Sequence, residues 1–241
     1  KRGWSSNSGY GNILQKETSP IIWPSLGYLT LSEKGILRKS SQGVRHPSIF
    51  REGEWLYVFY QDTLPLITDN ISKKFTNLFT DPSRRPGFKV ARAPISSLGS
   101  DQNFKVLFNG TFSEPALPLS SNFRDSLKMI GPRGDLLLPE ALNVQKFNVS
   151  KLIGTQWYMA VVTYNNWSEQ PKMGLSFSKN LTNWTSVQEI FRGENNERFG
   201  MHYALPMSLD GTSNTLINPN GFYIIGVSVT GIMTRAKITL K

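Results

Sequence analysis

The sequence predicts an all-β protein built from repeated four-stranded antiparallel sheets. Three short runs, dense in aromatic and β-branched residues and bounded by turn residues, are typical of buried strands: residues 55–60, 156–163 and 221–228. No long stretch keeps the 3.6-residue apolar period of a helix, and 14 prolines and 20 glycines interrupt the chain. These observations favour short strands throughout.

Each apolar run lies inside a larger unit of strand, tight turn, apolar strand, variable loop, strand and usually a fourth strand. The predicted strands are 46–50, 55–60, 88–93 and 104–108, then 140–147, 156–163, 173–178 and 187–191, then 203–208, 221–228 and 232–238. The third unit has three strands, and we predict that residues 27–31 supply its fourth. Repetition of this kind favours a β-propeller, and a β-sandwich is the alternative.

The length of 241 residues and the 39% hydrophobic content fit one domain with a sizeable core. We predict a single propeller-like domain over residues 21–241, preceded by a tail or strap over residues 1–20, which are rich in Ser, Asn and Gly. Propellers usually close with four to eight blades. With three clear units, either further units are degenerate or another chain completes the ring.

The chain is basic, with a formal net charge of +10. Six of its basic residues lie in one stretch that holds a single acid, Asp81: Lys73, Lys74, Arg84, Arg85, Lys89 and Arg92. This stretch is either a solvated loop or a surface for an acidic glycan or another negatively charged partner. Nucleic acid is not predicted, because no recognition helix or RNA-binding signature accompanies the charge.

The sequence has no cysteine, which excludes disulfides, thiol catalysis and zinc sites built on thiolates. No apolar run approaches the roughly 18 residues that a membrane-spanning helix needs. Six Asn-x-Ser/Thr sequons occur, at Asn70, Asn109, Asn148, Asn166, Asn180 and Asn183. These sequons favour a secreted or cell-surface location.

Two segments resemble the five-bladed β-propeller glycoside hydrolases of families 43, 32, 62 and 68. Residues 173–184, MGLSFSKNLTNW, are similar to the family's hydrophobic strand followed by Ser, any residue, Asp or Asn, Leu, any residue, Asn and Trp. Residues 47–50, PSIF, and 53–60, GEWLYVFY, are similar to its opening hairpin. The resemblance implies a propeller whose ligand is a glycan, bound or cleaved in an axial pocket.

One position departs from the family. The residue before Pro47 is usually an Asp that acts as base or nucleophile, and in this sequence it is His46. Glycoside hydrolysis needs one protonated and one ionised carboxyl group, and an imidazole replaces a carboxylate poorly. The sequence therefore leaves two functions open: a glycan-recognising or glycan-cleaving propeller, or a non-catalytic adhesion or assembly module that has lost its catalytic carboxylate.

The two histidines of the chain, His46 and His202, both begin a predicted innermost strand, and Glu140 has the matching position in the middle unit. Such strand starts converge around the channel of a propeller, so we predict that the three side chains share one pocket. Glu140 is the candidate general acid and Asp135 the second candidate carboxylate, although Asp also commonly forms turns. A histidine at a strand start that caps a backbone group is the simpler alternative.

The remaining candidates are for substrate binding. Arg45 precedes His46, and Trp167 lies between Asn and Ser in a predicted loop, where its ring could stack on a sugar. We assign Arg45, His46, Trp167 and His202 to substrate binding.

No cofactor and no metal site are predicted, although His46, His202 and a carboxylate are a ligand set that zinc accepts. The usual sequence signatures of nucleotide-binding proteins, serine hydrolases and zinc proteases do not occur.

Overall fold

The computed structural model describes residues 30–31, 37–38, 43–63, 87–97, 104–115, 134–139, 144–164, 172–192, 202–227 and 233–241. These residues form fifteen strands and one short 3-10 helix, Ile95–Ser97, so the all-β prediction is confirmed. Within these ranges no helix is long and apolar enough to cross a membrane.

The chain divides into two compact units. Unit 1 comprises residues 1–47 and 51–136, and unit 2 comprises residues 48–50 and 137–241. The boundaries foreseen from the sequence, a tail over residues 1–20 and one domain over residues 21–241, stay predictions.

The main sheet of unit 1 is a five-stranded meander, whose first strand also includes residues 48–50 of unit 2. Its pairings from β4 to β7 are antiparallel. Its strands follow each other in chain order: β3 (Gly43–Glu52), β4 (Trp55–Thr63), β5 (Gly87–Pro94), β6 (Lys105–Phe108) and β7 (Thr111–Pro115). A separate two-stranded sheet pairs β1 (Thr30–Leu31) with β2 (Leu37–Arg38). The prediction that residues 27–31 complete the last sheet is therefore wrong for Thr30 and Leu31.

Unit 2 contains two sheets. The first runs in the order β11-β10-β9-β8-β13, and the second in the order β12-β14-β15. Their strands are β8 (Val144–Leu152), β9 (Tyr158–Tyr164), β10 (Lys172–Ser178), β11 (Gln188–Arg192), β12 (His202–Ser208), β13 (Leu216–Ile217), β14 (Phe222–Val227) and β15 (Met233–Ile238). Among the described strands of unit 2, all pairings are antiparallel except that of β13 with β8.

The meandering four-stranded unit is confirmed in the first two sheets, and the third has the three strands foreseen. Three short described strands are absent from the predicted set: β2, β7, and β13, which adds to β8 in parallel. The predicted strand 140–147 lies further along the chain, because β8 begins at Val144 and continues to Leu152.

Successive buried residues mark the central strands. Residues 57–60 of β4, 87–91 of β5 and 158–163 of β9 are all buried, so both faces of these strands are covered. In unit 1 one such face forms a cluster of Val58, Tyr60, Ala91, Ala93, Phe104 and Val106. In unit 2 the two sheets share a core of Leu152, Met159, Val161, Met173, Leu175, Ala204, Ile217, Phe222 and Ile224.

The end of the basic stretch lies inside the sheet of unit 1. Lys89 and Arg92 both belong to β5, and Lys89 is fully buried. The Arg92 guanidinium lies 4.1 Å from the ring centroid of Trp55 and 4.2 Å from that of Phe112. These two cations therefore do not belong to a solvated loop. Lys73, Lys74, Arg84 and Arg85 lie outside the described residues, so their binding of an acidic partner stays a prediction.

Candidate functional site

Backbone irregularities lie near the start of the first strand in each of the three larger sheets, an end called here the strand-start end. In β3, His46 has a φ of 51°. In β8 the register shifts between Val144 and Lys146, and in β12 it shifts between His202 and Leu205, where Tyr203 has a φ of 58°. Positive φ in bulky residues is strained and clusters at functional sites, and bulges re-aim side chains. The strand-start ends are therefore the candidate sites of each unit.

His46 has an unusual backbone conformation for its place in the sequence. The residue before a proline normally takes an extended conformation, and His46 precedes Pro47 in the left-handed region. Its side chain is half-buried. Arg45 lies beside it in β3, and the Arg45 side chain lies outside the described part of the structure. The position singled out by its departure from the family is thus strained.

Asp135 holds a turn in unit 1. Its carboxylate accepts hydrogen bonds from the backbone N–H groups of Asn109 at 3.0 Å and Gly110 at 2.8 Å. Both donors have positive φ and form the turn between β6 and β7. The Asp135 N–H also donates to the Leu107 carbonyl at 2.9 Å. Asp135 thus has a structural role in this turn, and its catalytic role stays a prediction.

The other predicted site residues are only partly described. The backbone of His202 begins β12 and pairs with Val227, but its side chain lies outside the described residues. Glu140 and Trp167 lie outside them altogether. A common pocket for His46, Glu140 and His202 therefore stays a prediction. In the ranges that the structure covers, no group of three or more His, Asp or Glu side chains could hold a metal ion.

A lysine and a tyrosine meet at the strand-start end of unit 2. The Lys146 ammonium, just after the bulge of β8, lies 4.2 Å from the ring centroid of Tyr203 on β12. Tyr203 is 56% exposed, whereas burial lowers the pKa of Lys146 to about 8. Neither residue stood out in the sequence. The available signal was the alternation of polar residues at 146, 148 and 150.

No family model and no curated protein matches this sequence, whereas 30 solved chains match its structure. The GH32 beta-fructofuranosidase BmSUC1 of Bombyx mori is 12% identical with a TM-score of 0.42, covering 85% of this chain and 32% of that chain. A glycosyl hydrolase from Bacteroides ovatus is 11% identical with a TM-score of 0.43, covering 91% and 59%. An endo-1,4-beta-xylanase from Bacteroides thetaiotaomicron is 14% identical with a TM-score of 0.35, covering 87% and 64%.

This chain spans less than two thirds of each of these three proteins. Because their TM-scores lie below 0.5, these similarities do not indicate a function for this chain.

Proposed function

We propose that the protein recognises a glycan at the strand-start ends of its sheets. The observation that carries this proposal is the left-handed backbone of His46 and Tyr203, one in each unit, at the start of a first strand. Strain in such bulky residues persists where the surrounding structure holds a side chain in a required direction. Tyr203 has an exposed amphipathic ring that suits one face of a sugar, and imidazole groups supply hydrogen bonds to hydroxyls.

The sequence resemblance to glycoside hydrolases supports the same ligand class. In this proposal His46, His202, Arg45 and Trp167 bind the sugar, and Glu140 is the general acid if the glycan is cleaved. Cleavage also needs an ionised carboxylate. The Asp135 carboxylate already accepts two backbone hydrogen bonds, which hold it at the turn between β6 and β7.

The second candidate function is a non-catalytic adhesion or assembly module on the same fold. Two observations favour it: His46 replaces the family's carboxylate, and Asp135 stabilises the turn between β6 and β7. Such a module would bind its glycan or protein partner without turnover. Binding and hydrolysis must therefore be measured separately.

A glycan array and a set of aryl glycosides test the proposal together. We expect Glu140→Gln to abolish any hydrolysis while binding persists, because an amide keeps the shape of the acid but delivers no proton. His46→Ala and Tyr203→Ala should each weaken glycan binding about tenfold or more, a loss of about 1.4 kcal/mol.

Glu54→Gln is the matched control, because Glu54 is exposed at the opposite end of the sheet, in the turn between β3 and β4. It should leave binding and hydrolysis unchanged. Glycan binding that survives both His46→Ala and Tyr203→Ala would place the ligand elsewhere and contradict the proposal. Binding without hydrolysis in the wild type would favour the adhesion module.

A further inference from the structure

Three polar side chains alternate along one face of β8. In the register with β9, Lys146 lies opposite Thr163, Asn148 opposite Val161, and Ser150 opposite Met159. Directly opposed residues of an antiparallel pair point to the same face. Val161 and Met159 belong to the core that the two sheets of unit 2 share. The polar row therefore follows the edge of this core and reaches its strand-start end at Lys146.

Two members of the row are satisfied by the protein. Ser150 donates to the Asn214 carbonyl at 2.7 Å, and Asn148 donates to the Ala204 carbonyl at 2.5 Å. Lys146 has no hydrogen-bond acceptor and no carboxylate in contact among the described residues. Beside it, the buried hydroxyl of Thr163 lacks a hydrogen-bond partner in the same part of the chain. This corner thus holds polar groups that the described protein does not satisfy.

The ammonium of Lys146 is partly desolvated. Burial lowers its pKa to about 8, and no described carboxylate lies in contact with the ammonium to offset this desolvation. Lys172 in the same sheet shows the compensated case, because its ammonium lies 3.5 Å from the Glu189 carboxylate. A partly desolvated cation with no described counter-charge is stabilised when an anion pairs with it, and groups with shifted pKa values cluster at functional sites.

The exposed ring of Tyr203 adds a surface for the rest of a ligand. Its contact with Lys146 joins a cation and an aromatic platform at one point of the strand-start end. We propose that Lys146 and Tyr203 form a subsite for an anionic sugar, with Lys146 binding a carboxylate or sulfate ester and Tyr203 contacting the sugar ring. This inference rests on the proposed glycan-binding function and specifies its ligand as acidic.

Residue-resolved acetylation, read by mass spectrometry, tests the subsite directly. The probes are a galacturonate trimer, its neutral methyl ester, galactose 6-sulfate and galactose. We expect the galacturonate trimer to protect Lys146 from acetylation at least fivefold more than its ester does. Lys172 is the matched control and should show no such difference. Comparison of the protection of Lys146 by galactose 6-sulfate with that by galactose shows whether the subsite also binds a sulfate ester.

Calorimetry with variants gives the second readout. Lys146→Met should weaken binding of the trimer at least tenfold, Lys146→Arg should retain it by keeping the charge, and neutral glycans should bind both variants like the wild type. Equal protection by acid and ester, or unchanged trimer affinity in Lys146→Met, would overturn the subsite even if neutral glycans bind. If inorganic sulfate protects Lys146 while no glycan binds, the anion site is supported and the glycan function fails.

Discussion

The loop after β10 and the loop after β12 match residue by residue. Both read Ser, any residue, Asn or Asp, a left-handed residue and Thr: residues 178–182 in the first and 208–212 in the second. In both, the Ser hydroxyl donates to the side-chain oxygen two residues later and accepts backbone N–H groups further on. The Asn or Asp oxygen accepts the N–H of the Thr.

The loops differ at the left-handed position. In the first it is Leu181, with a φ of 66° and only 2% exposed, and in the second it is Gly211, with a φ of 74°. The Leu181 carbonyl also accepts the indole N–H of Trp184 at 3.1 Å, and the Trp184 ring packs edge-on against Phe147 at 4.8 Å. The first loop is therefore anchored in the core, whereas the second is exposed and relies on its hydrogen bonds.

The residues that anchor the first loop account for part of its resemblance to glycoside hydrolases. The residues of 173–184 that resemble glycoside hydrolases include Ser178, Asn180, Leu181 and Trp184, and each of them builds this loop. The second loop repeats the hydrogen bonds without the Leu and the Trp. The shared residues thus form the loop that follows β10, and they do not indicate catalysis.

Of the substitutions that test the difference between the two loops, those of Leu181 should lower the free energy of unfolding most. We expect Leu181→Ala to cost about 2–5 kcal/mol, because it leaves a cavity while keeping the unfavourable left-handed backbone. Leu181→Gly should lower the free energy of unfolding by up to about 1 kcal/mol less than Leu181→Ala does, because glycine relieves that backbone strain. Urea denaturation of the three proteins measures both differences. The usual order, with Ala more stable than Gly, would contradict strain at this position.

Gly211 allows the converse experiment with a smaller effect. An added Cβ at Gly211 would meet no described atom within 4 Å, so Gly211→Ala tests backbone strain without a clash. We expect a loss of about 1–2 kcal/mol, the cost of a left-handed residue with a side chain. Gly53→Ala, at the open turn between β3 and β4 with a φ of 56°, should give a similar loss. No loss at either position would show that these loops relax.

Features that depend on local sequence could be predicted, whereas features that depend on long-range packing could not. Residues 55–60 and 156–163 identify themselves as strands because their composition and flanking turns are local signals, and β4 and β9 follow them closely. The bulge before Lys146 depends on the register of β8 with β9 and has no such local signal.

Candidate residues illustrate the same limit. His46 stands out in the sequence because the resemblance predicts an Asp before Pro47, and the structure adds its unusual backbone. Asp135 was correctly associated with a turn, but the turn at Asn109 and Gly110 lies about 25 residues earlier in the chain. Lys146 and Tyr203 are 57 positions apart, so only the packing of β8 beside β12 brings them together.

The smallest expected effect is the acid response of the second loop. Hydrogen bonds from the Ser208 hydroxyl, the Thr212 N–H and the Thr212 hydroxyl, in that order, lower the pKa of Asp210 to about 2. A carboxyl group with a lower pKa in the folded state binds fewer protons there than in the unfolded chain. Its contribution is therefore complete above about pH 4 and is lost as the pH falls towards 2.

Asn180 has no charge to titrate, so the first loop should not respond in this way. Asp210→Asn keeps a side-chain oxygen at the same position and should remove the part of the acid dependence that Asp210 contributes between pH 4 and 2. Urea midpoints measured at pH 6, 4, 3 and 2 should fall less steeply for Asp210→Asn than for the wild type. Because Asp210 is fully exposed, we expect a small difference in slope. Parallel slopes for the two proteins would show that these hydrogen bonds do not favour the charged carboxylate.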